Sequence, residues 1–579
     1  MNPPPPAAAR GAQRYSPLVC LCAAAVLLVP ALVVFVPGLG YPFLALDDLH
    51  HVVQNPGIRD LSWNGIRFLF TEDTRDIRYY PLTYLSYALD YRLFGMNVFY
   101  FHLTNLLLHL ANVLAVALLV WILFRNAAIA FGTALLFSIH PLQVEPVAWV
   151  MGRKGVLSFF FYLLGALGYL GYVHWRETRR GFAAASLVAS AVCFLLSCLA
   201  KATGVTLPAV LVLIDYLRDS EPPSRLLIFL RRSLPSKLVY LPPAIVIALA
   251  TRHAAPVNPF AAEYPFSPVE WIAITGYDLF FYIEKTFLPV GLGAFYPLPA
   301  AGALSARFYA FTGCTIVLLL VALWSFLRQK RAIVFGLGWY FVTILPSALI
   351  LAFYSDMPLL VADRYYYQSS VGILVLVALG ASNLWRERRA LRPALATFVA
   401  TAFAALLLLS SVQRASWRST TAVYEQLLAH HPSDEFYYRL ALEYHAAGRT
   451  GDAFRALDAA DQAPHKIFYL DFCYYRLELV ELYRRKGDFA AAARQFEAAI
   501  EATPNAIEAS DARTPLAYLY LADLRLRAGD AAGAAQARKA AASARPDPDR
   551  YFESTWMRIA PDEARAFVER HAAELGYLR

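Results

Sequence analysis

Two adjacent carboxylates, Asp47 and Asp48, follow the first long apolar run of the chain and precede His50 and His51. A carboxylate at the mouth of a membrane span lies in a low dielectric, and repulsion between neighbours raises the pKa of one of the two. A carboxyl group with a raised pKa suits a general base that takes a proton from a hydroxyl. The start of a solvated loop explains these residues equally well.

A second polar cluster lies further along the chain. His140 and Glu145 open it, and Arg153 and Lys154 close it. A carboxylate facing two cations could form a plain salt bridge. The cations could equally bind a lipid phosphate, for which Arg is favoured because its guanidinium makes paired hydrogen bonds. The later triplet Asp363–Tyr365 has the same two interpretations.

Three polar residues interrupt the apolar segment between these clusters. His102, Asn105 and His109 recur at spacings of three and four residues, which places them on one face of a helix. Polar groups inside a membrane span must face protein or a cavity. Hydrogen bonding between helices is favoured for this face over direct contact with a substrate.

The composition predicts a polytopic membrane protein with a soluble part attached. Of the 579 residues, 58% are hydrophobic and 16% charged, whereas soluble proteins are about 45–50% apolar and about 25% charged. The net charge of +9 does not indicate nucleic acid, because the cations cluster between apolar runs in the positive-inside pattern. Six scattered cysteines indicate neither a disulfide framework nor a zinc site.

The apolar runs predict about eleven membrane spans. Leu18–Leu39 is long enough for a retained first span that starts in the cytoplasm. The segment 270–289 is interpreted as an interfacial or re-entrant helix. An odd number of spans puts the tail after Val412 on the outer side, together with the charged loops. The predicted outer loops are 41–100, 140–155, 252–304 and 353–368.

The tail, residues 413–579, is rich in alanine and has helical periodicity. Gly448, Gly487 and Gly529 recur at similar intervals and end the first helix of three successive helix pairs. This pattern resembles tetratricopeptide repeats, which stack into a solenoid. A groove for an acceptor peptide and an array used only for docking are equally good interpretations.

The order of the motifs resembles the tetratricopeptide-containing membrane O-mannosyltransferases and their bacterial relatives, of the GT-C superfamily. The resemblance covers nearly the whole chain. The matching residues are Asp47-Asp48, Tyr80-Pro81-Leu82-Thr83, Gly95-x-Asn97, Phe101-His102-Leu103-x-Asn105, His109, His140-Pro141, Glu145, Gly152-Arg153, Leu157-Ser158, Lys201, Gly204-Val205-Thr206-Leu207-Pro208, Asp215 and Ala362-Asp363-Arg364-Tyr365. The chain departs from the family at Ala202 and Gly155, where acidic residues are frequent.

The resemblance implies an all-α fold, with a GT-C transmembrane domain over residues 1–412 and a repeat solenoid over 413–579. It implies inverting transfer of a sugar from a polyprenyl-phosphate donor to an acceptor hydroxyl, such as Ser or Thr of an exported protein. The catalytic residues implied are Asp47, as the base, with Asp48 and Glu145. The substrate-binding residues implied are His102, Asn105, His140, Arg153, Lys154, Lys201, Arg364 and Tyr365.

Several alternatives stay open. The acceptor could be a lipid or a cell-surface glycan, and the chain could instead be a non-catalytic scaffold that presents repeats. A divalent metal (Mg²⁺ or Mn²⁺) fits the acidic residues, although their spacing does not require one. No Gly-rich phosphate loop is found. The alanine- and arginine-rich composition indicates a bacterial inner membrane protein with periplasmic repeats.

Overall fold

The computed structural model describes residues 17–71, 79–219, 221–254, 266–299, 302–354, 359–463, 473–501, 515–543 and 566–567. The chain divides into two compact units, Met1–Val423 and Tyr424–Arg579. The predicted domain boundary after residue 412 stays a prediction.

The first unit is helical, as predicted. Its only strands within the described residues are a two-stranded antiparallel pair, β1 (Tyr296–Pro297) and β2 (Leu359–Val361). The helices are α1 (Pro17–Phe35), α2 (Trp63–Thr71), α3 (Pro81–Phe94), α4 (Val98–Phe124), α5 (Ala127–Ile139), α6 (Val144–Ala148), α7 (Arg153–Trp175), α8 (Arg180–Ala200), α9 (Leu207–Arg218), α10 (Leu226–Ser233), α11 (Leu241–Ala254), α12 (Pro268–Phe287), α13 (Ala306–Leu327), α14 (Arg331–Tyr354), α15 (Tyr366–Glu387) and α16 (Arg392–Ser416).

The chain is a multi-pass membrane protein. Among the described residues, eight helices are long and apolar enough to cross a membrane, or nine if α5 and the segment that ends in α6 form one broken span. That pair bends by 60° at His140. His140 is extended, with ψ of 136°, because the ring of Pro141 disfavours a helical conformation in the residue before it.

The predicted number of about eleven spans is not confirmed. The difference lies in α5, which is bent at His140, in α9, and in α1, which together with the turn that follows it forms only the shorter apolar stretch Cys22–Gly38. Helix α9 has 12 residues and is therefore about 18 Å long, less than the ~30 Å of a bilayer core. Helix α12, predicted to be interfacial or re-entrant, is not among the eight candidate spans.

Small residues bring the central helices together. On α7, Gly165 and Gly168 face Ser190 of α8, and a Cβ at position 168 would lie 3.3 Å from the Ser190 side chain. The two helix backbones can approach because no side chain separates them, as is typical of packing inside membranes. Helix α7 thereby packs closely against α8, and its first residue, Arg153, lies at the candidate site.

The second unit contains the three predicted helix pairs. They follow α17 (Thr420–His430) and consist of α18 (Asp434–Ala446) with α19 (Thr450–Gln462), α20 (Cys473–Lys486) with α21 (Phe489–Glu501), and α22 (Pro515–Arg527) with α23 (Ala531–Ser543). Gly448, Gly487 and Gly529 have φ of 74°, 84° and 83°, the left-handed conformation in which glycine ends a helix. Assignment of these pairs as tetratricopeptide repeats stays a prediction.

Candidate active site

Asp48 fastens the first loop to the second. Its side chain is fully buried. One carboxylate oxygen accepts the backbone N–H of Leu44, and the other accepts that of Met151, each at 3.0 Å. Burial raises the pKa of Asp48 to about 7. The two N–H groups favour the charged form and partly oppose this rise. Asp48 thus serves as an internal link between the loops.

The acidic pair is therefore asymmetric. Repulsion from Asp47 also raises the pKa of Asp48, but less than burial does, so the low dielectric is the larger of the two causes expected from the sequence. The Asp47 side chain is 41% exposed, and its Oδ2 lies 3.6 Å from Nζ of Lys154. Of the two carboxylates, Asp47 is the one that solvent and a substrate can reach.

The second loop is compact and buried from His140 to Lys154. A Cβ at position 152 would lie 2.2 Å from the carbonyl oxygen of Pro146, so only glycine fits where the loop folds back on itself. His140 accepts the N–H of Leu142 at Nδ1 (3.2 Å), and its Nε2 lies 3.0 Å from the carbonyl oxygen of Thr286. These bonds use both ring nitrogens of His140 and tie the loop to α12.

Arg153 is enclosed by protein. Its side chain is fully buried, with Nη1 2.5 Å from Oδ2 of Asp90. It donates to Oδ1 of Asn105 at 2.7 Å and to the carbonyl oxygen of Phe101 at 2.6 Å, and it lies over the Tyr87 ring. The sequence left a salt bridge and a lipid phosphate open as partners of Arg153. Its contacts are a salt bridge to Asp90 and hydrogen bonds that join α3, α4 and α7, and a role at the phosphate stays a prediction.

The polar face of α4 makes hydrogen bonds inside the protein. Nε2 of His102 lies 3.1 Å from the carbonyl oxygen of Tyr41. Asn105 donates to the carbonyl oxygen of Trp149 at 2.9 Å, and Nε2 of His109 bonds to the backbone. This is the arrangement that the sequence favoured for the face. We therefore treat His102 and Asn105 as positioning residues, with substrate contact at either one still only a prediction.

Glu145 pairs with Arg364. Oε1 accepts Nη1 of Arg364 at 2.7 Å, and Oε2 accepts the backbone N–H of the same residue at 2.7 Å. Arg364 also donates to the carbonyl oxygen of Ala294 at 3.0 Å. The sequence placed Glu145 opposite Arg153 and Lys154 of its own loop. Its partner instead comes from the loop before α15, so two predicted outer loops meet here.

Three cations alternate with two aromatic rings beside Asp47. Nζ of Lys154 lies 5.4 Å from the centre of the Trp149 ring, and Arg364 lies over the same ring at 5.5 Å. Arg364 and the Lys201 Nζ then lie 5.2 Å and 5.3 Å from the Tyr365 ring. We call Lys154, Trp149, Arg364, Tyr365 and Lys201 the cationic strip. The cationic strip gathers the positive charge that a phosphate site requires. It begins next to an exposed carboxylate.

Among the residues that the structure describes, the acidic side chains do not form a site for Mg²⁺ or Mn²⁺. Within the described ranges, no group of three or more His, Cys, Asp or Glu side chains is placed to hold a metal ion. Both oxygens of Asp48 accept backbone N–H groups, and both oxygens of Glu145 accept Arg364.

No family model matches the chain. The protein O-mannosyl-transferase TMTC1 of Homo sapiens is 38% identical over 132 residues, which are 21% of this chain and 15% of that protein. TMTC1 of Mus musculus is 33% identical over 198 residues, 31% of this chain and 20% of that protein. TMTC2 of Homo sapiens is 33% identical over 179 residues, 29% of this chain and 21% of that protein. The similarity thus spans about a fifth of these relatives.

Among solved structures, the oligosaccharyltransferase of Archaeoglobus fulgidus aligns with 74% of this chain and 58% of its own, at 15% identity and a TM-score of 0.35. An alignment with so low a TM-score does not support a conclusion about the structure or function of this chain. The sequence matches to the TMTC proteins agree with the resemblance seen in the motifs. The chain is a multi-pass membrane protein similar, over part of its length, to the TMTC protein O-mannosyl-transferases.

Proposed function

We propose that this protein is an inverting glycosyltransferase that moves a sugar from a polyprenyl-phosphate donor to a Ser or Thr hydroxyl of an exported polypeptide. The observation that carries the proposal is the position of Asp47, an exposed carboxylate at the end of the cationic strip. A base and a phosphate site side by side are what such a transfer needs. The similarity to protein O-mannosyl-transferases supports the same class of reaction.

The proposed reaction is a single displacement. The acceptor oxygen attacks the anomeric carbon while the bond from that carbon to the phosphate oxygen breaks, and the lipid phosphate leaves with the electron pair. Asp47 takes the proton of the hydroxyl. Lys154, Arg364 and Lys201 stabilise the charge that develops on the departing phosphate, in a partly buried site where that stabilisation is strong.

The neighbours of these cations prepare them for this role. Glu145 orients the Arg364 guanidinium through a 2.7 Å contact, and the aromatic rings hold the cations at fixed positions. The guanidinium can still donate from its remaining N–H groups, since Arg has five. The lipid tail of the donor enters sideways from the membrane.

We place this reaction on the outer face of a bacterial inner membrane, with the helix pairs of residues 413–579 in the periplasm. The clustering of Lys and Arg between apolar runs supports this orientation. The helix pairs then hold an acceptor polypeptide.

Transfer of a labelled sugar tests the proposal. The purified protein in nanodiscs is given a radiolabelled mannosyl-phosphoryl-polyprenol, with a nucleotide-linked sugar as the control donor. Label is then counted in polypeptide, lipid and glycan fractions. Label in polypeptide that β-elimination releases supports the proposal. Label only in lipid or glycan shows a different acceptor, and no transfer from any polyprenyl donor favours the scaffold.

A further inference from the structure

The chain that follows the last membrane helix returns to the candidate site. Helix α16 ends at Ser416, and the next residue, Trp417, is 2% exposed. Its ring centre lies 5.9 Å from that of Trp149, with the planes 31° apart. Trp149 is the ring that Lys154 and Arg364 share. Trp417, which lies outside every predicted site segment, therefore packs against Trp149 of the cationic strip.

Three residues further on, the same segment contacts the first loop. Oγ1 of Thr420 accepts the backbone N–H of Ala45 at 2.8 Å. The preceding N–H, that of Leu44, is bonded by Asp48. The backbone N–H groups of Leu44 and Ala45, just before Asp47, thus donate to different partners. These two bonds set the direction of the backbone as it approaches Asp47.

Helix α16 is itself fixed close to this point. Arg414 donates to the carbonyl oxygen of Val34 at 3.1 Å, and its side chain would lie 3.3 Å from a Cβ at Gly38. The hydroxyl of Ser410 donates to the carbonyl oxygen of Ile139. Trp417 and Thr420 therefore extend from a helix end that is anchored on α1 and α5, which makes them a rigid reference for both loops.

We propose that the segment Trp417–Thr420 is a positioning element that sets the distance between Asp47 and the cationic strip. Trp417 acts through Trp149, and Thr420 acts through Ala45. Neither touches the reacting atoms. The inference rests on the proposed function, because it takes Asp47 as the base and the strip as the phosphate site. A displacement of about 1 Å between such groups lowers the rate on the order of a hundredfold.

Matched variants separate positioning from general damage. Thr420→Val keeps the side-chain shape and removes the acceptor oxygen, whereas Thr420→Ser keeps the oxygen. Trp417→Ala removes the ring, whereas Trp417→Phe keeps an aromatic ring against Trp149. Thr420→Ala replaces Thr420→Val if the valine variant does not fold. Each variant is assayed for kcat, for KM of the polyprenyl donor and for amide hydrogen exchange in segment 41–50.

We expect Thr420→Val to lower kcat about tenfold or more, with the donor KM within twofold of wild type, and to speed exchange at the Ala45 amide. Thr420→Ser should restore both quantities. Trp417→Ala should lower kcat similarly, and Trp417→Phe should recover most of it. Equal kcat and equal exchange in Thr420→Val and Thr420→Ser would overturn the proposal.

Amide exchange does not depend on sugar transfer, so the two ideas can fail separately. If the wild type transfers no sugar, the proposed function fails. Faster exchange at Ala45 in Thr420→Val then still shows that Thr420 positions the loop, and unchanged exchange shows that it does not. If the wild type transfers sugar and the variants match it in kcat, the positioning role alone is wrong.

Discussion

Arg364 holds both carboxylate oxygens of Glu145, one through its guanidinium and the other through its own backbone N–H, each at 2.7 Å. The pair joins α6 to the turn before α15, and the Glu145 side chain is 1% exposed. Burial of an ion pair costs free energy. Here the cost is offset because both carboxylate oxygens of Glu145 accept hydrogen bonds. The pair therefore contributes to folding as well as to the orientation of Arg364.

We expect Glu145→Gln to lower the free energy of unfolding by about 3–5 kcal/mol, because it leaves the Arg364 cation buried without a full counter-charge. Unfolding in detergent measures the loss. Glu284→Gln is the control. It breaks a comparably short but more exposed contact with Arg307, which is worth about 1 kcal/mol or less. Equal losses of unfolding free energy in the two variants would contradict the claim that the buried pair contributes more to stability than the exposed one.

The raised pKa of Asp48 predicts a pH dependence of stability. In the unfolded chain the pKa of Asp is about 3.9, and in the folded protein that of Asp48 is about 7. Between these values Asp48 keeps its proton only in the folded state, so its contribution to stability is greatest below pH 4 and falls as the pH rises to 7. The difference corresponds to about 4 kcal/mol.

Other groups titrate in the same range, so the measurement is a comparison. Melting temperatures of wild type and Asp48→Asn are recorded between pH 4 and 8. The advantage of the wild type over the variant should shrink as the pH rises through this window. A constant difference across the range would show that Asp48 does not titrate there.

The cationic strip predicts an effect on donor binding. We expect Lys201→Met to raise the KM for the polyprenyl donor about tenfold or more, because a charged contact to phosphate contributes about 1.5–3 kcal/mol. Lys201→Arg keeps the charge and should stay close to wild type. Lys330→Met removes an exposed charge next to α14 and serves as the control. An unchanged KM in Lys201→Met would remove Lys201 from the phosphate site.

The enclosed guanidinium of Arg153 predicts a structural effect. Asp90→Asn removes the counter-charge at 2.5 Å and should lower the melting temperature, with the donor KM of the surviving protein unchanged. The physical reason is that an uncompensated buried cation is costly, whereas the Arg153 side chain is fully buried and bonded within the protein. A raised KM in a variant of normal stability would return Arg153 to the phosphate site.

Helix positions followed from the sequence because apolar length determines them. The apolar run Ala127–Ile139 has the same bounds as α5. The number of spans did not follow, since α5 and α9, with 13 and 12 residues, are each too short to cross a bilayer alone. The turn glycines Gly448 and Gly487 were predictable because the left-handed conformation favours glycine.

The pairing of charges could not be predicted. Composition brings the charged loops to one face, but it does not decide which carboxylate meets which cation. Glu145 had two cations in its own loop, yet its partner is Arg364, because the compact turn at Gly152 directs Arg153 toward Asp90. Such pairings depend on how α3, α7 and α15 pack, which no local pattern encodes.

Two contributors to the site were also missed. Trp149 stands four residues before Arg153, and an aromatic residue beside a basic cluster was an available signal. Trp417 had no comparable signal, because it is far from the site in sequence and near it only in the fold. Contacts of this kind require the structure.

The most direct test of the account is sugar transfer by wild type and Asp47→Asn from a polyprenyl-phosphate donor. The variant keeps the side-chain volume and removes the base, so kcat should fall on the order of a hundredfold or more. The melting temperature should stay near that of wild type, because Asp47 is the exposed member of the acidic pair. Equal transfer by the wild type and a folded Asp47→Asn would contradict the account.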